Sequence, residues 1–178
     1  MPPQTPSLSP PELPVSDPSL GFLCAAVTAA LVDYYHFAKP PVPVRDILRT
    51  PPPDLARDLS LAEVLPFGEA LWMRTHTGQG CVFVNPGLAE PQKRYAMACA
   101  LFTALSASAG GQALGFPVVP NTQLREQQDL FARHLLIPAD LLPRIWPVLL
   151  AQELADMFVV PLTVAEARLQ DLAAIHPD

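Results

Sequence analysis

The feature that most constrains the fold is a run with no charged residue, from residue 95 to residue 124. A run of that length can cross a bilayer, so its side chains must be buried either in lipid or in a protein core. Gly110-Gly111, Pro117 and Pro120 interrupt it with residues that break helices. The sequence therefore predicts a buried helix followed by an irregular loop, and no segment that spans a membrane.

Composition and charge limit the class of protein. The chain has 178 residues, of which 50% are hydrophobic, so it is long enough for one domain with a substantial core. Its formal net charge is -6, and only 16% of its residues are charged. Binding to a phosphate backbone depends on many cations that displace counterions, and this chain has few. Nucleic-acid binding is therefore not the expected main activity.

The cysteines and the first residues indicate the compartment. Cys24, Cys81 and Cys99 are odd in number and follow no metal or disulfide spacing, which is typical of buried thiols in a reduced protein. The first basic residue is Lys39, so the apolar run over residues 20–31 lacks the positive segment that opens a signal peptide. We expect a cytoplasmic protein.

Prolines, glycines and hydrophobic periodicity predict the elements. Residues 1–18 carry seven prolines and are expected to form a disordered tail. A hairpin is expected over residues 69–85, with glycines at its turn. Helices are expected over residues 19–37, 44–48, 92–109 and 122–137, the third of them stopped by Gly110-Gly111. Further helices, separated near Pro161, fill the last forty residues, and Thr163 with Glu166 fits a capping box. This pattern predicts an α+β fold with a small, partly antiparallel sheet.

Five segments together resemble the ImmA/IrrE family of zinc metallopeptidases. The central one is RYAMACALFT, residues 94–103, which corresponds to the family pattern R-F-T-l-A-H-E-l-G-H. REQQDLFARHLLIP, residues 125–138, corresponds to E-x-E-A-N-x-F-A-x-x-L-L-M-P. The others are FAKPPVPV at 37–44, CVFVN at 81–85, and LADMFVVP with VAEARLQDL at 154–161 and 164–172. The resemblance implies a zincin-like peptidase domain over residues 19–138, with a helical extension over residues 139–178 packed on it.

The residues that bind zinc and activate water in that family are replaced here. Aligned by the resemblance, Cys99 stands at the first histidine, Ala100 at the glutamate, Thr103 at the second histidine and Gln127 at the third ligand. A thiolate binds zinc, but a hydroxyl and an amide are poor ligands, and an alanine accepts no proton. The resemblance therefore implies a protein without the peptidase mechanism and without zinc.

Small side chains at Cys99, Thr103 and Ser106 leave room along one stripe of this helix. We expect the former cleft to be filled as core, the alternative being a small uncharged pocket. His134 lies two helical turns after Gln127 and is a possible partner of Cys99. A histidine near a helix C-terminus is more often solvated, and that is the expectation for His134.

Three functions follow from the sequence. The first is an inactive peptidase relative that acts by binding a protein and regulates a helix-turn-helix repressor or an active protease relative. The second is a peptidase with a rearranged site, metal-dependent or using Cys99 with His134. The third is DNA binding through residues 154–172, although the expected recognition helix there carries only one cation, Arg168. The sequence favours the first and predicts no oligomeric state.

Overall fold

A computed structural model describes residues 18–64 and 68–175. The predicted disordered tail lies outside the described residues, apart from Pro18. The helices are α1 (Pro18–Tyr34), α2 (Val44–Arg49), α3 (Glu90–Ala107), α4 (Ala109–Ala113), α5 (Asn121–Leu136), α6 (Ala151–Phe158) and α7 (Leu162–Ile175). The strands are β1 (Leu61–Ala62), β2 (Ala70–Arg74) and β3 (Gly80–Val84), and 3-10 turns cover Pro53–Leu55, Ala139–Leu141 and Trp146–Val148. The fold is therefore α+β, as the sequence predicts.

The sheet has three strands in the order β1-β3-β2. The predicted hairpin is confirmed, because β2 and β3 are antiparallel and Gly78 in their turn has a φ of +81°. The sequence did not reveal β1, which pairs in parallel with β3 and makes the sheet mixed. Gly80 allows this arrangement, because a Cβ there would lie 2.1 Å from the carbonyl oxygen of Asp58.

Helix α3 forms the centre of the core and packs against α2, α5, β2 and β3. Nearly every residue from Arg94 to Ser106 is buried. This burial explains why α3 has no charged residue after Arg94. Aromatic rings join α3 to α5: Phe102, Phe116 and Phe131 have pairwise centroid distances between 5.7 and 5.9 Å. Among residues 18–64 and 68–175, no helix combines the length and apolar character that membrane crossing requires.

The end of α3 differs from the prediction. The glycines do not stop the helix; it ends at Ala107, and Gly110-Gly111 lie inside the short helix α4. Ser108 separates the two helices and accepts a hydrogen bond on its side chain from the N–H of Gly111. Glycine is required at 111 because a Cβ would lie 1.9 Å from the carbonyl oxygen of Leu105. Gly111 therefore allows the backbone of α4 to approach the end of α3 closely.

The C-terminal helices are joined to the rest by buried arginines. The guanidinium of Arg94, at the start of α3, donates to the carbonyl oxygens of Val42, Phe158 and Val159 at 2.8, 3.3 and 3.0 Å. Arg168 of α7 donates to the carbonyl oxygen of Ile137 at 3.0 Å. The predicted capping box at Thr163 is absent, because α7 begins at Leu162 and places Thr163 within its first turn.

Candidate functional site

A cavity of about 170 Å³ opens between β2, α3 and α5. It is lined by residues 69–72 at β2, by Ala96, Cys99, Ala100 and Thr103 on α3, and by Leu124, Arg125 and Gln128 on α5. The α3 residues are spaced three and four apart, so they lie on one face of the helix. The expectation of a filled cleft is wrong, since the space remains open.

Thr103 forms the polar wall of the cavity. Its hydroxyl donates to the carbonyl oxygen of Cys99 at 3.2 Å, one helical turn earlier, and accepts from Nε2 of Gln128 at 2.8 Å. The hydrogen bond to Gln128 connects α3 to α5 across the inner side of the cavity. Both partners are neutral, so this wall provides hydrogen-bonding groups without a charge.

Cys99 lies one helical turn before Thr103, and its thiol is not activated as a nucleophile. The thiol is buried, and this burial raises the pKa of Cys99 to about 12, an effect that the carboxylates of Asp129 and Glu69 reinforce. A thiolate is the nucleophilic form of cysteine, and a thiol with this pKa stays protonated at neutral pH. Cys99 therefore provides a small, weakly polar surface and no activated nucleophile.

A cluster of Tyr95, Asp129 and Arg125 adjoins the cavity on the α5 side. The Tyr95 hydroxyl donates to Asp129 Oδ1, and Arg125 Nη2 lies 3.3 Å from the same hydroxyl. Arg125 also pairs with Asp129 at 3.2 Å and stacks over the Tyr95 ring, 5.6 Å from its centroid. Burial is the main reason that the pKa of Tyr95 is raised. Tyr95 therefore remains a neutral hydrogen-bond donor.

The rim of the cavity is charged, contrary to the expectation of an uncharged pocket. The Arg125 side chain is 66% exposed despite its pairing with Asp129. Glu69, at the other side, is exposed and accepts a hydrogen bond from Gln92 Nε2 at 2.9 Å. The site thus has a neutral interior and one charge of each sign at its entrance.

Three of the five predicted pocket residues, Ser106, Gln127 and His134, are not part of the lining of this cavity. Gln128, and not Gln127, faces Thr103, since one residue along a helix is a rotation of about 100°. Oε1 of Gln127 is buried and lacks a hydrogen-bond partner. Ser106 is buried within α3 and donates to the carbonyl oxygen of Phe102 at 3.0 Å. The stripe of small residues on α3 therefore reaches the cavity only as far as Thr103.

His134 belongs to a different part of the molecule. The structure buries it, whereas the sequence predicted a solvated residue at the end of α5. It lines a second cavity with residues of α1 and α7, and does not line the one that contains Cys99. Burial, followed by the charge of Arg168, lowers the pKa of His134 to about 4. The structure does not bring Cys99 and His134 together.

Active members of the family that the sequence resembles hold zinc at the corresponding positions, so the donors present here are compared with a zinc site. Cys99 offers one sulfur atom, while the Thr103 hydroxyl is engaged with Cys99 and Gln128. Within the described residues, no group of three or more His, Cys, Asp or Glu side chains is arranged to hold a metal ion. Zinc sites in proteins take three or four ligands of these types. The residues around this cavity do not fit zinc.

Sequence reasoning did not identify Arg125, Asp129 or Gln128 as residues of this site. The sequence contained one signal, because Arg125 and Asp129 are four apart on the predicted helix and form a typical helical ion pair. Their relation to Tyr95 depends on how α3 and α5 pack, which local spacing does not reveal.

No protein-family model matches this chain, and no curated protein matches its sequence. The function is therefore inferred from the residues of the site and from the resemblance between short segments.

Proposed function

We propose that this protein is a catalytically inactive relative of the ImmA/IrrE zinc metallopeptidases and acts by binding another protein. One observation carries the proposal: Cys99, Ala100 and Thr103, which stand at the three positions of H-E-x-x-H, line an open cavity. The resemblance requires that helix to face a second helix, and α3 faces α5 here. A shaped cavity whose described residues provide neither a metal-binding set nor an activated nucleophile supports binding more than hydrolysis.

The edge of the sheet supports a protein as the ligand. Among the described strands, β2 is paired on one side only, so its other edge is free to pair with an extended segment. Leu71 and Met73 on this strand are 49% and 47% exposed, which is high for large apolar side chains. Leu71 also lines the cavity. An extended peptide lying along β2 inserts one side chain beside Thr103.

The class of the partner comes from the resemblance alone. Active members of the family are associated with cleavage of helix-turn-helix repressors, so we propose a repressor of this class as the partner. An inactive relative that binds without cutting shields the repressor or competes with an active protease. A cytoplasmic location belongs to this proposal, since such repressors act there.

The structure gives no observation in favour of the other two functions. A cysteine peptidase needs a base near its thiol, and His134 lines a separate cavity. For DNA binding, α7 buries its cation Arg168 and exposes Glu166. A recognition helix needs donors on its exposed face.

Zinc content and cleavage test whether the protein is inactive. Purified protein is incubated with zinc, passed through a desalting column and analysed for metal. We expect much less than one zinc per chain and no cleavage of a purified helix-turn-helix repressor from the same cell. One zinc per chain together with cleavage of that repressor refutes the proposal.

Crosslinking tests the binding surface. A photoreactive amino acid at Leu71 is expected to crosslink the repressor, whereas the same amino acid at Val148, 79% exposed on a 3-10 turn, is not. Ala100→Leu fills the cavity and is expected to abolish the crosslink. Ala107→Leu, at an exposed position of the same helix, is the matched control and is expected to keep it. Equal crosslinking from both positions, or equal behaviour of the two leucine variants, contradicts this surface.

A further inference from the structure

A second cavity, of about 340 Å³, lies between α1, the end of α5 and α7. One wall is apolar and consists of Ala25, Ala26 and Ala29 on α1, with the ring of Phe22 beside it. Phe22 is 78% exposed, an unusual position for a large aromatic side chain. Three polar side chains of the lining come from three different helices, namely Thr28 of α1, His134 of α5 and Arg168 of α7.

Arg168 is buried, and its hydrogen-bond donors are only partly paired with acceptors. Its side chain is only 2% exposed, its Nε donates to the carbonyl oxygen of Ile137, and its Nη1 is buried with no hydrogen-bond partner. Asp171, three residues further along α7, forms a two-point ion pair with Arg133 at 2.8 and 3.3 Å. A buried guanidinium with an unmade hydrogen bond destabilises the protein. It therefore has an unused capacity to bind an anion.

Arg94 provides a comparison for Arg168, because Arg94 is a buried arginine that only stabilises the fold. Arg94 is 6% exposed, and its guanidinium donates to three backbone carbonyl oxygens. Arg168 is more deeply buried and donates to one. The contrast indicates that the remaining donors of Arg168 are suited to a group outside the chain.

Thr28 is a second unsatisfied group in the same cavity. Its Oγ1 is buried and has no hydrogen-bond partner, and the residue is 2% exposed. The His134 ring also lines the cavity. It is neutral at pH 7, because burial lowers the pKa of His134 to about 4. A hydroxyl and a neutral imidazole both provide donors for an anion without adding charge.

We propose that this cavity binds a small organic monoanion whose carboxylate is held by Arg168 and Thr28. A guanidinium is permanently charged and pairs in a planar, two-point geometry with a carboxylate. A single buried cation matches a single negative charge, and the exposed carboxylate of Asp140 at the same cavity disfavours a dianion such as phosphate. The alanine wall and Phe22 provide a surface for an apolar or aromatic body.

Calorimetric titration of the full chain tests the ligand class. The probes are benzoate and hexanoate, with benzamide and hexanamide as neutral analogues of the same shape, and inorganic phosphate as a separate anion. We expect one carboxylate per chain and at least tenfold weaker binding of the amides. The proposal is overturned if neither carboxylate binds at concentrations up to about 10 mM. Equal binding of acids and amides, or binding of phosphate alone, also overturns it.

Substitutions test whether Thr28 and Arg168 bind the carboxylate. Thr28→Val keeps the shape and removes the hydroxyl, so we expect about tenfold weaker carboxylate binding. The same variant is expected to raise the melting temperature of the ligand-free protein, because it removes an unsatisfied buried group. Thr122→Val, at an exposed position of α5, is the matched control and changes neither quantity.

Arg168→Gln removes the charge and is expected to abolish carboxylate binding. If this variant does not fold, Thr28→Val alone decides the question. Carboxylate affinity that is unchanged in Thr28→Val refutes the proposed site.

Discussion

Alkylation of the native protein with iodoacetamide at pH 7 tests whether the cavity between β2, α3 and α5 holds a reactive nucleophile. Among the described residues that line that cavity, Cys99 alone carries sulfur, and this residue is 6% exposed. Because cysteine reacts as the thiolate, its rate depends on the pKa of the thiol and on access of the reagent. A low alkylation rate shows that the Cys99 thiol is inert, and a high rate shows that it is a reactive nucleophile.

The structure gives the size of the effect. Burial raises the pKa of Cys99 from the ordinary value of 9.0 to about 12. At pH 7 this difference lowers the thiolate fraction by about a thousandfold relative to an unstructured cysteine. Limited access lowers the rate further. We therefore expect alkylation of Cys99 in the folded protein to be at least about a thousandfold slower than in the unfolded chain.

Quantitative mass spectrometry of proteolytic peptides measures the rate at each cysteine separately. The same reaction in about 6 M urea provides the unfolded reference, where the three cysteines are expected to react at similar rates. If Cys99 in the folded protein reacts within tenfold of this reference at pH 7, its thiol is activated. That result refutes our interpretation and supports a cysteine-dependent enzyme.

Three further predictions concern stability and are measured by urea denaturation. Arg94→Met removes three hydrogen bonds to buried carbonyls and is expected to lower the free energy of unfolding by about 3 kcal/mol. The exposed Arg144→Met is its control, and equal effects contradict the structural role of Arg94. Gly111→Ala places a Cβ 1.9 Å from a carbonyl oxygen of α3 and is expected to lower the free energy of unfolding by at least about 2 kcal/mol. Gly21→Ala has open space around its Cβ and is expected to be neutral or slightly stabilising, so an equal loss in both argues against the α3–α4 junction described above. The third prediction concerns His134, whose pKa falls from 6.5 in the unfolded chain to about 4 in the folded protein, mainly through burial. Its contribution to stability is therefore complete above pH 6.5 and is lost as the pH falls towards 4. His134→Leu is expected to make the free energy of unfolding less dependent on pH between 7 and 4, and an unchanged dependence contradicts the burial of this ring.

The sequence predicted most of the elements because their signals are local. Prolines and hydrophobic periodicity placed α2, α3, α5 and the hairpin within a few residues of their observed bounds. Strand β1 was missed because it has only two residues and pairs with a strand about twenty residues later. The role of Gly110-Gly111 was mispredicted because it depends on a close contact in the folded chain. A glycine pair stops many helices, but here it permits close contact with the end of α3.

The candidate site was predicted in part. Cys99, Thr103 and Ser106 were expected to form one stripe of small side chains. Cys99 and Thr103 line the cavity together with Ala100, and Ser106 does not. The partner across the cavity was misassigned by one residue, since Gln128 occupies the place expected for Gln127. Helical periodicity fixes which residues share a face, but the rotation of one helix against another follows from the packing of many side chains.

The sequence by itself determined most of the elements, the uncharged central helix and the absence of an H-E-x-x-H motif. These properties follow from residue identity and local spacing. Only the tertiary structure decided that the cavity beside Cys99 is open and that His134 and Arg168 are buried around a separate one. Burial and pKa depend on neighbours that are distant in sequence: Thr28, His134 and Arg168 meet only because α1, α5 and α7 pack together.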